Sequence, residues 1–210
     1  MKKKHQAPDK FVHSHGVTAV ELTIVLIIIG LLAAFAIPEL ISARRLMKFA
    51  GIQQQLVASL RDARQLAMSQ RRGIVLQYDD NNKLIRTYEL PIVPAPPSPV
   101  VDFLGPQGDS RNRLVAFTDN GLLASDIVYG APAGAPTSLA DTTSLTALTG
   151  GVVNITFGPR GDVIDSSGAP INTALFFYDN NSGGSGAFAI SILGPGGRVK
   201  IWRYNGTSYQ

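Results

Sequence analysis

The chain has 210 residues, no cysteine, and a formal net charge of +4. Without cysteine it has neither disulfides nor thiolate metal sites, and its length fits one domain with an appendage. The charge is unevenly placed: residues 1–16 carry +3, residues 17–72 carry +4 and the remainder −3, so the basic balance does not describe a phosphate-binding surface on the C-terminal part.

The first sixteen residues hold Lys2, Lys3, Lys4 and Lys10 and all three histidines, His5, His13 and His15. Gly16 follows, then the apolar run GVTAVELTIVLIIIGLLAAFAIP ending at Pro38. From Leu22 to Ile37 only Thr23 is polar. A helix needs roughly 20 residues to cross about 30 Å of hydrocarbon, and the lysines before the run predict a cytoplasmic N-terminus with the rest exported. A secretory signal peptide fits poorly, because the run is long and no small-residue cleavage site follows it. Glu21 stands near the start of the run, where a charge costs at least about 2.5 kcal/mol on insertion scales. It needs a partner or a task.

Beyond Pro38 the helical pattern continues. Phe49, Ile52, Leu56, Leu60, Ala63 and Ala67 recur at spacings of three and four, with Gln53, Gln54, Arg61, Arg64 and Gln65 between them. One long helix over 17–70 is predicted, apolar all round in its first half and amphipathic in its second. Pro38 lacks a backbone donor and crowds the preceding turn, which predicts a kink.

From Gly73 the period changes to two. Strands are expected over 74–78 and 83–88, joined by the turn Asp79-Asp80-Asn81-Asn82, and then over 114–118, 122–128, 152–157, 174–178, 187–193 and 198–204. The last two flank the turn Gly194-Pro195-Gly196-Gly197. Two stretches, 91–112 with six prolines and 130–151 rich in Gly, Ala, Thr and Ser, read as mobile loops. The fold class is α+β: a long N-terminal helix packed by its second half on a β-rich head. The expected divisions are 1–16, a leader; 17–38, a transmembrane helix; 39–72, a helical stem; and 73–210, the head.

The glycine, the apolar run, the acidic residue five positions on and the later proline resemble the class III leader of type IV pilins and type II secretion pseudopilins. Ala63-Arg64-Gln65-Leu66-Ala67 with Arg71-Arg72-Gly73-Ile74-Val75-Leu76, Ile155-Thr156-Phe157-Gly158-Pro159-Arg160-Gly161 and Gly197-Arg198-Val199-Lys200-Ile201 are similar to the GspH/FimT group of minor pilins. The resemblance implies that a prepilin peptidase cuts after Gly16 and methylates Val17, although the family usually has phenylalanine where Val17 stands. It assigns Glu21 to assembly and Pro38 to a helix kink. It implies a structural subunit, not an enzyme, of a type II secretion pseudopilus that exports protein. Its partners would be other pilins and an inner-membrane assembly platform. The protein would sit in the inner membrane by a single pass, with its head in the periplasm, before joining the filament. The alternative is a type IV pilus minor pilin that binds DNA for natural transformation.

Chemistry is sparse. After residue 16 there is no histidine or cysteine, which removes Ser-His-Asp catalysis and the common metal pairings. No cofactor or metal is expected. Asp162, Asp165 and the run Asp179-Asn180-Asn181-Ser182-Gly183 offer oxygen ligands of the kind calcium uses, but such runs are ordinarily turns. Arg198, Lys200 and Arg203, with Trp202 and Tyr204, form a basic and aromatic cluster that would serve a DNA-binding reading. On a strand Arg198, Lys200 and Trp202 share one face and Arg203 takes the other. Nucleic acid is not the expected partner.

Overall fold

The computed structural model describes residues 17–90, 104–184 and 186–210. The expected leader and most of the proline-rich segment therefore lie outside the described residues. The chain divides into two compact units, Met1–Ala43 and Arg44–Gln210.

One helix, α1, runs Ala19–Gln70 and contributes to both units. In the first unit its side chains are exposed nearly all round, including Leu22, Ile24, Leu26, Ile28, Leu32 and Phe35. In the second unit the predicted stripe is the buried face: Phe49, Ile52, Leu56, Leu60, Ala63 and Ala67 are all within 1% of full burial. The helix stops because Arg71 turns into the left-handed region, with φ 52°, and the Arg72 N–H returns to the Ala67 carbonyl at 3.2 Å. This is a Schellman closure built on an arginine where glycine is usual.

The remainder of the second unit is antiparallel. The strands are β1 Ile74–Asp79, β2 Leu84–Glu89, β3 Arg113–Ala116, β4 Ile127–Tyr129, β5 Val152–Phe157, β6 Val163–Ile164, β7 Thr173–Asp179, β8 Phe188–Leu193 and β9 Arg198–Arg203. One sheet has the order β3-β2-β1-β5-β6 and the other β4-β7-β8-β9. The first hairpin falls where alternation and the Asp-Asn turn put it, with Asp79 opposite Leu84.

Two expected strands are shorter than their apolar content suggested. The 114–118 segment leaves the sheet at Phe117 and becomes a 3-10 turn, Phe117–Asn120, and 122–128 opens with another, Ala124–Asp126, before β4. In both cases the hydrophobic side chain is wanted in the core, not in the sheet: Phe117 and Ile127 are fully buried, whereas Leu123 is 69% exposed. The two-residue β6 escaped the periodicity, being too short to show one.

An aromatic chain closes the core. Phe49 of α1 meets Phe188 of β8 edge-on at 5.4 Å, Phe188 stacks on Phe177 of β7 at 5.5 Å, and Phe177 meets Tyr78 of β1 edge-on at 5.0 Å. Helix and both sheets are thus joined through four rings, geometry that adds to the area they bury.

The 130–151 segment is not a free loop. It makes bridges Ser138 to Ser144 and Leu145 to Ala174, and Tyr129 donates its hydroxyl to the Thr146 carbonyl at 2.6 Å. Leu139 is buried with Ala174, Phe176, Ala189, Trp202 and Tyr209 in a second, smaller core. Gly, Ala and Ser content suggested mobility because small residues carry no periodic signal, but small side chains also permit close packing over a sheet. The described end of the other stretch is likewise tied down, with Leu104 N–H donating to the buried Glu89 carboxylate at 3.1 Å.

Candidate functional site

The first part of α1 is long and apolar enough to cross a membrane, and the most hydrophobic part of it is unburied. Its polar groups are accounted for locally. Thr23 donates its hydroxyl to the Ala19 carbonyl at 2.8 Å. Thr18, just before the helix, accepts the Glu21 N–H on its hydroxyl at 3.2 Å, and its carbonyl accepts the Leu22 N–H at 3.1 Å. Thr18 is therefore the N-cap, and Thr18-Ala19-Val20-Glu21 has the sequence form of a capping box. Sequence reasoning passed over this signature, although it was present to be read. A carboxylate in the first turn is also favourable to the helix dipole, so Glu21 has a local role open to it besides any intermolecular one.

The candidate cleavage point is split. Gly16 lies outside the described residues, and Val17 is exposed and precedes the helix. Pro38 lies inside α1, which continues through it to Gln70.

The C-terminal basic cluster is not a unit. Lys200 lies over the ring of Trp202, 3.4 Å from its centroid, as their shared face requires. Trp202 is 4% exposed, and its Nε1–H donates to the Ser191 hydroxyl at 2.9 Å. Ser191 in turn donates to Asp141 at 2.6 Å. The indole is a core residue at the end of a buried hydrogen-bond relay, and it is not open to stacking on a nucleic-acid base. Tyr204 is also engaged, donating to the Gly206 carbonyl at 2.8 Å. Arg203 projects to the opposite side, toward α1, where it lines a recess with Gln54, Val57 and Arg61. The Gly-Arg-Val opening of β9 depends on its glycine: Gly197 has φ 56°, and a Cβ there would run into the Gly161 carbonyl oxygen.

Apart from Asp162, whose buried Oδ1 has no hydrogen-bond partner among the described residues, the candidate calcium carboxylates are already employed. Asp179 and Asp126, both almost fully buried, share Arg45 of α1, at 3.3 Å and 2.9 Å. Asn181 donates its side-chain amide to Asp126 at 2.6 Å and its N–H to Asp179 at 3.0 Å. Burial pushes the Asp126 carboxyl up, but the bonds from Arg45, Leu123 and Asn181 outweigh it and hold it below the usual range. Asp165 accepts from Ser167 and Ala169 within its own turn. Among the described residues no group of three or more His, Cys, Asp or Glu is arranged to hold a metal.

No protein-family model matches the chain, and no curated protein matches it in sequence. Among solved structures it is similar to the type IV minor pilin FimU of Pseudomonas aeruginosa strain PAO1 in two crystal forms. Each is 18% identical, with a TM-score of 0.38, covering 70% of this chain and 83% or 87% of the FimU chain. A likeness at that level assigns no role by itself. The chain's own geometry, a helix apolar in its first part whose second part is buried against two antiparallel sheets, is an α+β architecture.

Proposed function

We propose that this protein is a pilin-like structural subunit, anchored by the first part of α1 and built into a filament through it. The observation that carries the reading is the change of character along one helix. Its first part exposes apolar side chains on every face with a single carboxylate, Glu21, at its start, while its second part buries a continuous stripe in the head. A helix apolar all round requires lipid or other apolar helices around it. In a bundle of such helices Glu21 would pair with the N-terminal amine of a neighbour, since a buried charge left without a partner costs far more than a paired one. That pairing favours one axial offset between subunits. A prepilin peptidase would cut between Gly16 and Val17 and methylate the new amine, and an inner-membrane platform would drive assembly. The sequence patches similar to the GspH/FimT group fit a type II secretion pseudopilus and a type IV minor pilin alike, and of the two we propose the pseudopilus.

The test is expression of the full chain with a cognate peptidase and partner pilins, followed by membrane fractionation, filament shearing and mass spectrometry of the N-terminus. A filament-associated species beginning at Val17 is expected. Protein found in filaments with residues 1–16 intact, or absent from filaments altogether, overturns the proposal.

A further inference from the structure

Strand β9 is an edge of its sheet, and among the described residues part of that edge has no backbone partner. Arg203 exchanges both backbone hydrogen bonds with Gln210, at 2.9 Å each, on the side away from β8. Backbone groups of successive strand residues alternate in direction, so the N–H and C=O of Ile201 and Val199 point the same way as those of Arg203. The 205–210 segment folds back to cover Arg203 alone. Outside this open edge two recesses, of about 630 and 310 Å³, run between β9 and α1 and meet at Arg61. Their cations are Arg61, Arg64, Arg198 and Arg203, and among the described residues no carboxylate lines either one. Arg64 gives its Nε–H to the Gly161 carbonyl at 3.1 Å. Arg61, Arg198 and Arg203 have no ion pair among the described residues. Val57, Ala58 and the 39%-exposed Ile201 supply apolar floor.

We propose that this groove docks an extended acidic segment of a partner protein, which adds to β9 as a further strand. Charges on an edge strand ordinarily deter pairing with other chains. Here the same arginines exclude neutral or basic strands and admit one whose alternate side chains are carboxylates. An added strand would lie about 4.8 Å from β9, over the flank of α1 that bears Arg61. Its backbone would meet Val199 and Ile201, giving affinity, while its side chains reach the arginines, giving selectivity. Nucleic acid fits less well. It has no amide ladder to match the edge, and the described lining residues offer no aromatic face, Trp202 being buried on the other side. The inference stands apart from the filament reading, because it concerns only the head.

The experiment uses the full chain in detergent micelles and a fluorescein-labelled peptide of alternating aspartate and valine, with anisotropy read at about 150 mM salt. Saturable binding is expected. Arg61→Glu with Arg203→Glu should weaken it at least tenfold. Ile201→Pro should do the same, since it removes an outward N–H at an edge position where proline is tolerated. The same peptide N-methylated at alternate amides should bind at least tenfold more weakly, a comparison that needs no change to the protein. Absence of saturable binding, equal binding of the N-methylated peptide, or equal binding of an oligothymidylate of the same charge overturns the proposal.

Discussion

Arg45 and Asp126 form an ion pair of 2.9 Å that joins α1 to the strand of residues 127–129 and, through the second guanidinium contact with Asp179, to the end of β7. Asp126 and Asp179 are 5% and 1% exposed, and Arg45 is the cation between them. Replacing Arg45 by alanine leaves two buried carboxylates without it. Removing one partner of a buried pair costs several kcal/mol, and because Arg45 is itself one-third exposed a loss of about 3 kcal/mol is expected. Urea unfolding of the full chain in micelles measures it. An unchanged midpoint would show that water replaces the guanidinium without penalty.

Acid should weaken the head. Asp126, Asp79 and Asp141 are each pushed up by burial but held below the ordinary range by the hydrogen bonds they accept. A carboxyl depressed in the folded state contributes stability above its unfolded value near 4, and that stability is lost as pH falls through the folded value. The unfolding midpoint should therefore decline from about pH 4 downward. The penalty of Arg45→Ala should be smaller at pH 3 than at pH 7, because Asp126 without the guanidinium takes up its proton more readily, and a neutral carboxyl no longer needs the cation. An equal penalty at both would contradict the assignment.

Thr18 and Glu21 can be separated. Thr18→Ala removes the cap, a loss of about 1 kcal/mol, and leaves the carboxylate. Glu21→Gln keeps a side chain suited to that position but discards the charge. If Glu21 serves assembly, Glu21→Gln inserts into membranes normally and fails to enter filaments, whereas Thr18→Ala does both. Equal loss of incorporation by the two variants would assign Glu21 to the helix terminus alone.

Ser191 is a fully buried hydroxyl that donates to Asp141 and accepts from Trp202. Ser191→Ala leaves the indole N–H without its partner and takes one donor from Asp141, at a cost of about 1–3 kcal/mol. Trp202 is the single tryptophan of the chain, so its fluorescence reports both the local change and the unfolding midpoint. A variant with unaltered emission and stability would show that the relay is dispensable.

Arg71 occupies a left-handed conformation that a side chain disfavours by roughly 1–2 kcal/mol. Arg71→Gly relieves this, offset in part by the greater freedom of glycine in the unfolded chain. A net gain of up to about 1 kcal/mol is expected by thermal melting, and a loss would mean that the guanidinium contributes more than the strain costs.

The amino-acid order by itself determined the features that local physics controls. The long helix, its passage from an all-apolar to a striped surface, the six buried stripe positions and the hairpin ending at Asp79 follow from periodicity and turn chemistry, which depend on neighbours in sequence. Even the cap at Thr18 was available at that level. Tertiary structure alone decided which polar residues meet. Arg45 reaches Asp126 and Asp179 across more than eighty residues, Asp141 reaches Ser191 across fifty, and the 130–151 segment is held by such contacts rather than by any pattern of its own. The C-terminal cations diverge for the same reason. Strand alternation sends Arg203 toward α1 and Lys200 to the other face, while burial of Trp202 depends on the sheet and segment that cover it. Burial and pairing are properties of surfaces brought together by the fold, and adjacency in sequence carries no record of them.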